Sequence, residues 1–172
     1  MVTKMKKQID FYFDVVSPYS YVASTLIEDV AQRNNAELQW KPFLLGGVFK
    51  AVESVSAPGL IPVKKPYLLK DLQRLSSHYG IPLQMPADFP VRTVLVMRAL
   101  SGLEPEQIPQ AAHTLFNAYW ADNLDIADPD VVASLIGQEA VERAVMQEVK
   151  DALFKNTEEA VKRGAFGAPT FF

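Results

Sequence analysis

The junction at Ser17-Pro18 constrains this chain more than any other short stretch. Before it, residues 8–15 are rich in Ile, Phe and Tyr and partly alternate in polarity, which marks a buried or half-buried strand. After it, Val22, Leu26, Ile27 and Val30 recur at helical spacing until Asn34-Asn35. Serine suits an N-cap, where its side chain accepts from a backbone N–H that the first turn leaves unpaired. Proline suits the next position, where its missing N–H is no loss. Residues 37–43 then read as a second strand. The opening is a β-α-β unit, so Phe11 and Phe43 are expected on adjacent parallel strands.

Downstream, Gly46-Gly47 and the proline-rich residues 57–66 read as one long loop, of the kind that lines sites. After Pro66 the pattern turns helical: Leu68, Leu69, Leu72, Leu75 and Tyr79 make one apolar face, stopped by Gly80 and Pro82. Residues 93–103 and 107–121 give two more helices. Asp128 caps another, with Pro129 at its first position. Residues 138–163 hold one long helix or two short ones. Gly167-Ala168-Pro169-Thr170-Phe171-Phe172 reads as a tight approach into a final strand. A strand there needs a partner, so residues are expected beyond Phe172.

Composition narrows the chemistry. With 49% hydrophobic residues in 172, a core can form without metal or disulfide staples. Seventeen basic and 20 acidic residues leave a net charge of -3, too balanced for nucleic acid or an anionic membrane as the main partner. The chain has no cysteine, which excludes disulfide exchange, a protein thiol nucleophile and a thiolate metal site. His78 and His113 are its two histidines, too few for an imidazole-rich zinc set, so no metal is expected. Lys4, Lys6 and Lys7 precede the first apolar stretch, but Asp10 and Asp14 interrupt it and no small-residue cleavage site follows. No segment is long enough to span a bilayer, and the expected compartment is the cytoplasm.

Ser17-Pro18-Tyr19-Ser20 stands where a helix N-terminus offers unpaired N–H groups and positive potential, a place for a small anion. An isolated Ser-Pro is most often only a helix cap. Here the Ser-x-x-Ser spacing stands where a thioredoxin-like fold keeps Cys-x-x-Cys, and Ala168-Pro169-Thr170 stands where it keeps a cis-proline.

Taken in order, these motifs resemble the 2-hydroxychromene-2-carboxylate isomerase family, relatives of the kappa-class glutathione transferases in the DsbA-like thioredoxin superfamily. Phe11-Tyr12-Phe13-Asp14 leading into Ser17-Pro18-Tyr19-Ser20-Tyr21 resembles the family's first strand and active-site turn. Lys41-Pro42-Phe43-Leu44-Leu45-Gly46-Gly47-Val48-Phe49-Lys50 resembles its second strand and the loop after it. Lys64, Tyr67, Asp71-Leu72 and Tyr79-Gly80 fit the first inserted helix. Phe89-Pro90, Thr93 and Met97-Arg98-Ala99 fit the second. Ala118-Tyr119-Trp120, Asp128-Pro129 and residues 163–172 fit the rest.

The resemblance implies an α/β thioredoxin-like fold with an all-helical insertion domain. Residues 1–63 and 150–172 would form the thioredoxin-like domain and residues 64–149 the insertion. It also implies glutathione as cofactor, with Ser17 as the catalytic residue that donates to the sulfur. Tyr19, Lys64, Ala168 and Pro169 would contact glutathione, the Ala168 backbone pairing with it like an added strand. In kappa-class relatives an asparagine nine residues before the lysine contacts glutathione. Val55 occupies that position here and cannot supply the amide. The family's γ-glutamyl contacts fall beyond Phe172. The implied reaction converts 2-hydroxychromene-2-carboxylate to trans-o-hydroxybenzylidenepyruvate, a step in naphthalene-type aromatic degradation. The alternatives are a kappa-like transferase or peroxidase and a non-catalytic binding module. The implied partner is a small aromatic carboxylate, and a homodimer is the macromolecular arrangement left open.

A serine is physically sufficient for the role. A thiol of pKa about 8.5 is only a few per cent thiolate at neutral pH, and a shift of about two units is worth roughly 2.7 kcal/mol. A hydrogen bond to a charged group contributes about 1.5–3 kcal/mol, and a helix N-terminus about 0.3–1. The hydroxyl is expected to face a cavity bounded by residues 48–64, the Ala168-Pro169 turn and the inserted helices. Asp88, Arg92 and Arg98 are candidates for a substrate carboxylate, Arg92 foremost, because Arg pairs with carboxylate bidentately. A solvated helix-end charge is the equal alternative for Arg92. His78 and His113 read as surface or packing residues, and Tyr119-Trp120 as core.

Overall fold

The computed structural model describes residues 7–54 and 58–172. Strand β1 (Lys7–Phe13) lies at the centre of a three-stranded sheet of order β2-β1-β3. Strand β2 (Ala36–Pro42) pairs with it in parallel, Phe11 opposite Trp40, and the Phe43 N–H donates to the Phe13 carbonyl at 3.1 Å. Strand β3 (Thr170–Phe171) pairs antiparallel, Phe11 opposite Phe171. Phe172 extends that pairing, exchanging both backbone hydrogen bonds with Asp10 at 2.9 and 3.1 Å.

Alternation along β1 divides the core. Phe11 and Phe13 face one way and Tyr12 the other, all three fully buried. Phe13 meets Trp40 at 5.3 Å and Phe116 at 5.7 Å between ring centroids. On the opposite face Tyr12 packs with Phe43, Val48, Ala160 and Ala165.

Helices α1 (Pro18–Ser24) and α2 (Ile27–Arg33) occupy the place of the single expected helix. The break follows from local competition for carbonyls: the Ser24 hydroxyl donates to Tyr21 O at 2.7 Å and that of Thr25 to Val22 O at 2.8 Å. The expected loop at Gly46-Gly47 is a helix, α3 (Leu45–Ala51). Its first N–H donates to the buried Asp14 carboxylate at 2.9 Å. Gly47 lets it lie close to a later helix: a Cβ there would stand 3.1 Å from Thr157 Cγ2. Tertiary contact thus overrides two helix-weakening glycines.

A 3-10 turn (Pro58–Leu60) leads to α4 (Lys65–Tyr79). Of the apolar face expected on α4, Leu68 and Leu72 are buried, whereas Leu69 and Tyr79 are exposed. Then come α5 (Val94–Ser101), α6 (Ile108–Trp120) and α7 (Pro129–Ile136). The Asp128 side chain accepts from the Asp130 N–H at 2.9 Å, as its cap position predicts. Residues 138–163 form two helices, α8 (Gln138–Arg143) and α9 (Gln147–Lys162). Every element described between β2 and β3 is helical. Trp120 Nε1 ties α6 to the end of β1 by donating to Val15 O at 2.8 Å.

Asp10, which breaks the apolar run of β1, is buried and paired with Arg163 at 2.5 Å. Arg163 also lies 4.0 Å from the Phe172 ring centroid. Burial opposes the charge on Asp10, but hydrogen bonds from Arg163 and Gln8 and the charges of Arg163 and Lys41 outweigh it, holding the carboxyl below its ordinary value. A lowered pKa stabilises the fold above the ordinary carboxylate range and ceases to do so as pH falls through the folded value. Asp10→Asn is therefore expected to reduce stability to urea at pH 7. The gap from the unsubstituted chain should close as the acid limb is descended, and an unchanged gap in acid would contradict this.

Candidate functional site

The chain leaves β1 in a tight turn built on Asp14. Its Oδ1 accepts from the Val16 N–H at 3.1 Å and its Oδ2 from the Leu45 N–H at 2.9 Å. Its backbone carbonyl accepts from the Ser17 N–H at 3.0 Å. Burial pushes the Asp14 carboxyl up, against donors from Leu45, Val16 and Thr93 that favour its charge. The turn leaves Ser17 extended, with φ -88° and ψ 116°, at the N-cap of α1.

Ser17 Oγ accepts from the Ser20 N–H at 3.1 Å and donates to the Ala168 carbonyl at 3.0 Å. Residues 151 positions apart are thereby joined, and the peptide bond after Ala168, to Pro169, is cis. The sequence thus pointed to two distant segments that do meet. They meet at a buried hydroxyl. Ser17 is 4% exposed, and its single proton is already donated to Ala168. The N–H groups of the first turn are also less free than expected: that of Ser20 is capped and that of Ser17 turns back to Asp14. Ser20 Oγ is buried and has no hydrogen-bond partner among the described residues.

Tyr19 is directed to the inserted helices. Its hydroxyl donates to Asp71 of α4 at 2.8 Å, and burial first, then the Asp71 carboxylate, push its pKa well above the usual tyrosine value. It is a donor at every physiological pH. Tyr21 continues the same function, its hydroxyl 3.0 Å from both Pro82 O and Asn117 Oδ1. Lys64 is exposed at the N-cap of α4, seven residues before Asp71 and so about 10 Å along the helix from it. Val55 lies outside the described residues.

Arg92 is exposed, one residue before the buried Thr93. The peptide bond from Phe89 to Pro90 is also cis. Asp88 is exposed, and its carbonyl accepts from the Tyr119 hydroxyl at 2.9 Å. Tyr119 and Trp120 are core residues, 1% and 0% exposed. His113 meets Glu28 at 3.3 Å and packs its ring on Trp40 at 5.1 Å, while His78 is exposed against Tyr79. Among the described residues no acidic or histidine cluster could hold a metal ion, and no helix is long and apolar enough to cross a membrane.

Asp14 was missed as a site residue. Its signal was present: an acidic residue inside an apolar strand needs local donors to be buried.

Residues 8–172 match the model of the DSBA-like thioredoxin domain. A 2-hydroxychromene-2-carboxylate isomerase of Pseudomonas putida is 32% identical over 95% of this chain and 84% of its own length. Glutathione S-transferase kappa 2 of Caenorhabditis elegans is also 32% identical, over 95% of this chain and 80% of its own. A solved structure of a 2-hydroxychromene-2-carboxylate isomerase superposes with a TM-score of 0.83 at 28% identity, covering 96% of this chain and 84% of that one. The chain belongs to the DSBA-like thioredoxin domain family, in the group that includes 2-hydroxychromene-2-carboxylate isomerases and kappa-class glutathione transferases.

Proposed function

We propose that the chain is a glutathione-dependent isomerase acting on 2-hydroxychromene-2-carboxylate or a related aromatic carboxylate, with Ser17 stabilising the thiolate. The observation that carries this reading is the 3.0 Å hydrogen bond from Ser17 Oγ to Ala168 O. It sets one donor for sulfur beside the backbone of the cis-proline turn, the pair that an extended thiol peptide would engage together.

The residues fit glutathione. Its bound thiolate supplies a nucleophile for reversible addition to a conjugated substrate. Everything else falls to the protein. Ser17 turns its proton from Ala168 O toward the sulfur while still accepting from Ser20. Ala168 then offers its carbonyl and N–H to the peptide backbone as an edge strand does. Pro169 holds that backbone in place. The Tyr19 hydroxyl is committed to Asp71, which leaves its backbone N–H for the ligand. Lys64 neutralises a peptide carboxylate, and Arg92 pairs with the carboxylate of the second substrate. Residues 64–149, as an insertion domain, wall the second-substrate side. Because α1 ends at Ser24, the helix-dipole contribution is that of two turns, and the serine hydrogen bond carries the larger share. Among the described residues no histidine or other base is paired with Ser17, so it acts as a stabiliser rather than an attacking nucleophile.

A kappa-like transferase is the second reading, favoured by the equal 32% identity of the transferase relative. Both use the same thiolate. Supplying glutathione with the chromene carboxylate, and separately with an aryl halide, distinguishes isomerisation from conjugation by product.

Ser17→Ala is expected to cost about 1 kcal/mol of stability as a lost cap. It should slow glutathione-dependent turnover roughly ten- to a hundredfold, as a charged hydrogen bond of about 1.5–3 kcal/mol implies. The ultraviolet thiolate signal of bound glutathione should fall with it. Full activity and an unchanged thiolate titration would reduce Ser17 to a helix cap and favour a non-catalytic binding module.

Tyr19→Phe removes the tie to α4 without touching the sulfur. The expected result is a several-fold rise in KM for glutathione with kcat nearly kept. A fall in kcat alone would place the hydroxyl in the chemistry instead.

A further inference from the structure

A groove of about 660 Å³ lies between α3, α5 and α9, and neither Ser17 nor Ala168 lines it. That volume is within the roughly 300–1,000 Å³ typical of small-molecule sites. Leu44, Val94, Leu153 and Phe154 give it apolar walls. Phe154 is 63% exposed, an aromatic ring held in water.

The charges around these walls are unequal in their pairing. Glu158 is 3.9 Å from Lys162, whereas Asp151 accepts only from the neutral Gln147 amide, at 2.8 Å, and has no ion-pair partner among the described residues. Lys50, Arg98 and Lys150 also line the groove, and among the described residues none has an ion-pair partner. Arg98 and Lys150 are half-buried, where an unpaired charge is costlier than on an open surface. Among the described residues the groove is thus an apolar trough whose three unpaired cations outnumber its one unpaired carboxylate, Asp151.

We propose that this groove binds an amphipathic organic anion of small-molecule size, an aromatic or aliphatic body bearing one carboxylate or sulfonate. The body packs against Phe154, Leu153 and Val94, and the anionic head is paired by Arg98 and Lys150. Charge complementarity selects this occupant over a second copy of the chain, because a two-fold interface would set the same cations against themselves. Arg98, expected from sequence as a carboxylate contact, performs that role here rather than beside Ser17.

The test uses the whole chain with two fluorescent probes, 8-anilinonaphthalene-1-sulfonate and its uncharged counterpart N-phenyl-1-naphthylamine. The sulfonate is expected to bind one equivalent with enhanced emission, at least about tenfold tighter than the neutral probe, as one charged hydrogen bond implies. Arg98→Gln and Lys150→Gln should each weaken the sulfonate several-fold and leave the neutral probe unchanged. Phe154→Ser should weaken both. Ser17→Ala and saturating glutathione should leave sulfonate binding as it was. Circular dichroism checks each variant, and Lys150→Gln carries the test if Arg98→Gln does not fold. Equal affinity for the two probes, indifference to both cation substitutions, or displacement by glutathione would each overturn the proposal. So would sedimentation showing that self-association abolishes probe binding, which would assign the face to a second copy.

Discussion

The buried carboxylate of Asp14 is the constraint on which the architecture around the site depends. It closes the turn after β1 through Val16 and starts α3 through Leu45. One side chain therefore fixes the relation of the central strand, the turn at Ser17 and the helix after the second strand. A buried carboxyl of this kind is costly unless its oxygens are hydrogen-bonded, and removing a donor exposes that cost. The geometry it holds is correspondingly narrow. Ser17 takes its extended conformation because Asp14 has already turned the chain back on itself.

Around that turn the insertion is fastened by hydroxyls and an indole. Tyr19 reaches α4, Tyr21 reaches Pro82 and α6, and Trp120 returns a bond to the end of β1. Each of these side chains buries a large apolar body and places one polar atom at the boundary between the sheet and the helices. The helical layer is thereby positioned by directional contacts close to Ser17, while the apolar cluster of Phe13, Tyr21 and Phe116 supplies the adhesion.

Much of this was legible from residues. The β-α-β opening followed from periodicity and the Ser-Pro signal, and Asp128-Pro129 marked a helix start through its cap chemistry. The meeting of Ser17 with Ala168 was legible only through family resemblance, because no local rule relates residues 151 apart in sequence. What escaped was set by tertiary contact. Gly46 and Gly47 read as loop residues, but α3 needs Gly47 to approach Thr157 and borrows its first acceptor from Asp14. The break between α1 and α2 depends on which carbonyls Ser24 and Thr25 select. Leu69 and Tyr79 have the right spacing for a buried face, yet α4 packs through a narrower stripe.

The hydrogen bond between Ser17 and Ala168 has a thermodynamic consequence for anything that enters there. The serine proton already rests on a neutral carbonyl oxygen, so an incoming neutral acceptor exchanges one bond for another of similar strength. A charged acceptor gains instead, since charge-assisted bonds are about twice as strong as neutral ones. For the ligand proposed above, the resting contact would therefore act as a charge filter: it would subtract the same amount from every visitor and leave a surplus only for an anion.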